Sequence, residues 1–138
     1  MLLNLRIAPD VIYKTICTPV AVVDDAVRAT LNDMMETLKA YDAMGIGAPM
    51  VGITQRLVVV FMEDAQGVIQ EFKMVNPVIV ERSAEMTTME EASITFPAIS
   101  APVTRPAMVT VAYLDETGAE KTVAATGLLA VCLQHEMD

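Results

Sequence analysis

The residues best equipped for chemistry close the chain. His135-Glu136-Met137-Asp138 supplies the first four residues of an H-E-x-x-H pattern. On a helix, histidines at i and i+4 point the same way and grip one divalent cation, while the glutamate between them acts as general base on the cation's water. His135 is the single histidine among 138 residues, so the pattern is one imidazole short. Cys132, three residues earlier, could in principle pair with His135 as a nucleophile, but the usual fate of such a cysteine is a small buried hydrophobe. Ser93 lacks the G-x-S-x-G surroundings of a serine nucleophile. A second cluster, Gly45, Gly47, Pro49 and Gly52, forms a loop whose backbone something can approach closely, although it matches no phosphate-binding pattern.

These groups need elements to hold them. Asp24-Asp25 opens a helix over about 24–42, with Val27, Leu31, Met34, Met35 and Leu38 at helical spacing. The glycine loop follows. Leu57 to Met62 and Val68 to Val75 read as a hairpin around Asp64-Ala65-Gln66-Gly67. Asn76-Pro77 interrupts, and Val78 to Arg82 and Met86 to Glu90 are extended. A proline-containing loop from Phe96-Pro97 through Pro102 leads to a second hairpin, Val109–Tyr113 with Lys121–Ala125, turning at Asp115-Glu116-Thr117-Gly118. From Gly127 onward, Leu128, Val131, Cys132 and His135 share one helix face, which carries His135 inward. This order predicts a single α+β domain over 1–138 in which antiparallel sheets wrap a C-terminal helix.

Three separated stretches carry a resemblance: Met44-Gly45-Ile46-Gly47-Ala48-Pro49-Met50-Val51-Gly52, Glu91-Ala92-Ser93-Ile94-Thr95-Phe96-Pro97, and Gln134-His135-Glu136-Met137-Asp138. In order and spacing they resemble the peptide deformylases, metal-dependent hydrolases that remove the formyl group from the N-terminal methionine of nascent chains. That family reads G-φ-G-φ-A-A-P-Q-φ-G, E-G-C-L-S and Q-H-E-φ-D-H, where φ is apolar. The resemblance implies His135 and the Ser93 position as metal ligands, Glu136 as base, and Met50 with the Ile94 backbone N–H at the oxyanion positions. It implies Met44, Gly45, Met89, Ala92, Leu128, Val131 and Cys132 around the substrate methionine and its backbone, and Glu91 with Arg105 as a bracing pair. It also implies that the last helix normally runs on through a second histidine, so the chain is expected to be truncated there.

The departures fall on the chemistry. A cysteine ligand works as a thiolate, within reach of neutral pH because its free pKa is about 8.5 and the cation lowers it further. The Ser93 hydroxyl is far harder to ionise. With it and one imidazole, no cofactor is expected to bind tightly, and Fe²⁺ or Zn²⁺ is the cation if the site functions. Met50 has no N–H to offer the oxyanion that the family's glutamine stabilises, and losing one such donor lowers rates roughly 10²–10³-fold in other enzymes.

The chain is 54% hydrophobic, with eleven methionines, three phenylalanines and no tryptophan, which predicts a core filled by flexible side chains. A formal charge of −9 disfavours nucleic acid and anionic membranes as partners. With no membrane span or signal segment, and with no disulfide expected between Cys17 and Cys132, the expectation is a cytoplasmic protein. The leading expectation is a deformylase-like protein, weak or inactive, able to take an N-terminal Met peptide. The alternatives are an active metal-dependent deformylase in a longer native chain, and a non-enzymatic peptide-binding or assembly module.

Overall fold

The computed structural model describes residues 2–3, 18–63, 66–92 and 100–137. Cys17, the Asp64-Ala65 half of the first turn, and Ser93 through the Phe96-Pro97 segment lie outside them. Helix α1, Asp25–Ala40, starts where its cap predicts: the Asp24 side chain accepts from the Val27 N–H at 3.0 Å. The strands are β1 (Gly45–Gly47), β2 (Leu57–Glu63), β3 (Ile69–Arg82), β4 (Met86–Ala92), β5 (Ser100–Pro106), β6 (Met108–Leu114) and β7 (Glu120–Thr126), followed by helix α2 (Gly127–Met137). A five-stranded antiparallel sheet runs in the order β1-β2-β3-β6-β7, and β4 pairs with β5 as a separate two-stranded ribbon. The fold is α+β, as predicted.

Strand alternation divides the apolar residues between two cores. Along β2, Leu57 and Val59 face α1, where they join Leu31, Met34 and Leu38. Val58, Val60 and Met62 point the other way, into a cluster with Met74, Val109, Val111, Ala130, Cys132 and Leu133. β2 is therefore covered on both faces, which explains its unbroken apolar run. Each fully buried Val, Leu or Met contributes about 1.5–3 kcal/mol, so these clusters hold the sheet between the helices. Helix α2 is buried from Ala130 through Gln134 rather than along one stripe, and it packs on β1, β2, β5, β6 and β7. Among the described residues no helix is long and apolar enough to cross a membrane.

Three predicted boundaries give way. Gly45–Gly47, read as loop, is a strand on β2, with Ile46 opposite Val59. The proline-containing loop ending at Pro102 proves to enter β5, and its prolines are tolerated because the ribbon has only two strands and so only edges. Asn76-Pro77 does not end a strand: β3 runs through it, with the register against β6 shifting between Val75 and Val78. Asn76 takes a left-handed conformation, φ 52°, which asparagine tolerates better than most residues. Its side chain accepts from the Val20 N–H at 2.7 Å and donates to the Val20 carbonyl at 2.8 Å. One residue thus kinks β3 and clips the segment before α1 to it.

Candidate functional site

β1 meets α2 through Gly45 and Gly47, so the strand puts no side chain of its own into the contact at those positions. A Cβ built on Gly45 would lie 2.9 Å from the Cys132 Sγ and 3.0 Å from the Glu136 Cγ, and one on Gly47 would lie 3.1 Å from the Glu136 carbonyl oxygen. Only glycine permits that approach, so the glycines set the distance between strand and helix. The Glu136 side chain is 7% exposed, and its Oε1 lies 3.9 Å from the His135 Nε2. Burial pushes the Glu136 carboxyl above its ordinary range, while His135 and a hydrogen bond from the Gly47 backbone pull the other way. The result is a carboxyl group that holds its proton more tightly than a solvated glutamate, fixed by a backbone donor beside the single imidazole.

The other predicted residues take these places. Cys132 and Val131 are buried in α2, and His135 is half-buried, with its side chain 32% exposed. The inward face expected for His135 is thus only partly so. Met44 precedes β1; its side chain is exposed and its carbonyl accepts from the Phe61 N–H at 2.8 Å. Met50 lies in the 3-10 turn Ala48–Val51, buried in the core cluster shared with α1. In the ribbon, Met89 is opposite Val103, Glu91 opposite Ala101, Ala92 opposite Ser100 and Arg105 opposite Thr87. Leu128 stands in the first turn of α2. Ser93 and Ile94 lie outside the described residues, next along the chain from the end of β4.

Two residues named in the sequence only as parts of motifs take roles it did not assign. Gly47, read as part of a loop that something approaches, donates its backbone N–H to Glu136, and its spacing of two from Gly45 puts both on one strand face. Gln134 is buried, and its Nε2 donates to the Pro106 carbonyl at 2.9 Å and to the Ala130 carbonyl at 3.0 Å. A glutamine in an apolar helix was itself the signal there, since buried amides need partners. Beside Glu136, a cavity of about 110 Å³ opens between Gly47, Pro49, Arg56, Leu57, Pro77 and Met137.

Comparison with known proteins gives the same frame. Residues 2–138 match the family model described as polypeptide deformylase. The chain is similar to the peptide deformylase of Rhizobium meliloti, 41% identical over 136 residues that cover 97% of this chain and 77% of that one. Its backbone is similar to the crystal structure of peptide deformylase from Ehrlichia chaffeensis, with a TM-score of 0.96 and 31% identity over 100% of this chain and 82% of that one. It is also similar to the Synechococcus elongatus enzyme solved in complex with actinonin, with a TM-score of 0.91 and 33% identity over 99% and 72% of the two chains. On the strength of the whole-length match, the shared fold and the meeting of glycine strand with His135-Glu136 helix, the chain belongs to the peptide deformylase family.

Proposed function

We propose that this protein receives N-terminal methionine peptides in the cleft of its family, and that its metal-dependent removal of the formyl group is weak or absent. The family supports the substrate class. The burial of Met50 supports the loss of rate: a thioether packed into the α1 core offers no hydrogen to an oxyanion, whatever residue follows Asp138. The donor set adds to it. At the position of the family's cysteine the chain carries the Ser93 hydroxyl. A neutral hydroxyl in place of a thiolate does not fit tight binding of Fe²⁺ or Zn²⁺.

The Gly47 hydrogen bond and the neighbouring His135 support reading Glu136 as the base. Without an acidified water such a base has little to activate. The family resemblance assigns Val131 and Cys132 to the pocket of the substrate methionine, and both are apolar residues buried in α2.

The test is metal content of the purified protein together with hydrolysis of a formyl-Met peptide, run anaerobically with added Fe²⁺, Ni²⁺, Co²⁺ or Zn²⁺. We expect substoichiometric metal and turnover near background. Stoichiometric metal with turnover abolished by Glu136→Ala would overturn the proposal in favour of a working enzyme. Peptide binding is read separately, as a rise in melting temperature with a methionine-bearing peptide.

A further inference from the structure

Gln134 is a polar residue in an otherwise apolar stretch of α2, buried at 4% exposure. Apolar contacts are non-directional, so they hold a helix in place without fixing its rotation or height. Hydrogen bonds are directional. Both Nε2 hydrogens of Gln134 are committed, one to the Ala130 carbonyl a turn back and one to Pro106. The first pins the side chain against its own helix, and the second joins that helix to another part of the fold.

Pro106 is the last residue of β5, opposite Met86 at the start of β4, and Met108 already belongs to β6 of the large sheet. It therefore sits where the ribbon leaves the main sheet. The corner is closed internally: the Ala107 N–H donates to Glu85 at 2.8 Å, and the Ser83 N–H donates to Met108 at 2.9 Å. The first bond joins the feet of β4 and β5 and the second continues the β3–β6 pairing, and neither fixes the ribbon's angle to α2. From Met86 to Ala92 the ribbon extends about 20 Å at the usual strand rise, so a turn of about 10° at the root sweeps the far end through roughly 3 Å. Near an active site, a misplacement of about 1 Å can change rates on the order of 10²-fold.

We infer that Gln134 is a positioning residue that sets the angle between the β4–β5 ribbon and α2, and so the distance of the ribbon's far end at Ala92 from His135 and Glu136. This rests on the proposed function only in treating ribbon and helix as the two walls of one peptide cleft. The geometry itself needs neither metal nor turnover.

The experiment compares the full chain with Gln134→Met, which keeps length and apolar volume and removes the donor. Amide hydrogen exchange is measured strand by strand, and affinity for a formyl-Met-Ala-Ser peptide in parallel. We expect ribbon amides between Met86 and Pro106 to exchange faster by on the order of tenfold, the scale of one lost hydrogen bond. Amides of β2 and β3 should keep their rates. Acceleration spread evenly over all strands, the mark of a merely stabilising side chain, overturns the inference, as does no change. If Gln134→Met does not fold, the unaltered protein decides: the Gln134 side-chain amide protons should exchange in step with the ribbon amides. A ribbon that exchanges far faster than that amide refutes the tie. Absence of peptide binding in the unaltered protein would remove the cleft reading and leave the exchange result to judge Gln134.

Discussion

Replacing Gly45 with alanine places a methyl carbon 2.9 Å from the Cys132 sulfur and 3.0 Å from the Glu136 Cγ. Both atoms belong to side chains on a helix buried on several sides, so neither can swing away freely. Overpacking of this kind destabilises by about 1–3 kcal/mol. Against it, alanine reduces the freedom of the unfolded chain, a gain of about 0.4–1 kcal/mol. The net expectation is a loss of about 1–2 kcal/mol, and in a domain of this size each kcal/mol lowers Tm by about 3–4 °C. Differential scanning calorimetry of Gly45→Ala should therefore show a fall of several degrees. The double variant with Cys132→Ala supplies the control, because removing the sulfur opens the space the new methyl needs. Its two changes should couple favourably by about 1 kcal/mol. A Gly45→Ala protein that melts at or above the unaltered protein, or strict additivity with Cys132→Ala, would refute the close approach of β1 to α2.

Two further outcomes follow from the same geometry. The Glu136 carboxyl titrates above its unfolded value because burial disfavours the charge, so its contribution to stability is full below the unfolded pKa and declines as pH rises through the folded one. Glu136→Gln should flatten that decline and raise Tm at neutral pH; superimposable melting curves from pH 4 to pH 8 for the two proteins would contradict it. Asn76→Ala removes both hydrogen bonds to Val20 and leaves a non-glycine residue at φ 52°, a loss of about 2–3 kcal/mol in chemical denaturation. Asn76→Gly, which relieves only the backbone, should be milder, and equal losses would argue against strain.

Much of this arrangement was legible where one residue's preference and its neighbours' spacing agree. Asp24 and the Val27, Leu31, Leu38 stripe mark α1 because cap and period coincide. The strand pairs of both hairpins follow from alternation and turn residues. The difficulty lay where tertiary context overrides local preference. Glycine suggests loop, yet Gly45 and Gly47 form a strand because α2 lies too close for any side chain. Proline suggests a break, yet Pro102 and Pro106 sit in β5 because a two-stranded ribbon does not require every N–H. At the candidate site, the motifs marked His135 and Glu136 directly. Their partners Gly47 and Pro106 are 89 and 28 residues away from Glu136 and Gln134, and no local pattern carries such pairings.

Every position of α2 from Ala130 to Gln134 either fills space or satisfies its own polar atoms; Glu136 alone brings a charge into a place that resists it. A library of this protein sorted solely for heat resistance should therefore discard Glu136 early and leave its neighbours alone. Sorting the same library for retention of a methionine peptide would reveal whether the cleft still has a use for that carboxylate. The helix thus separates, at one residue, what folding asks of the chain from what binding or chemistry asks of it.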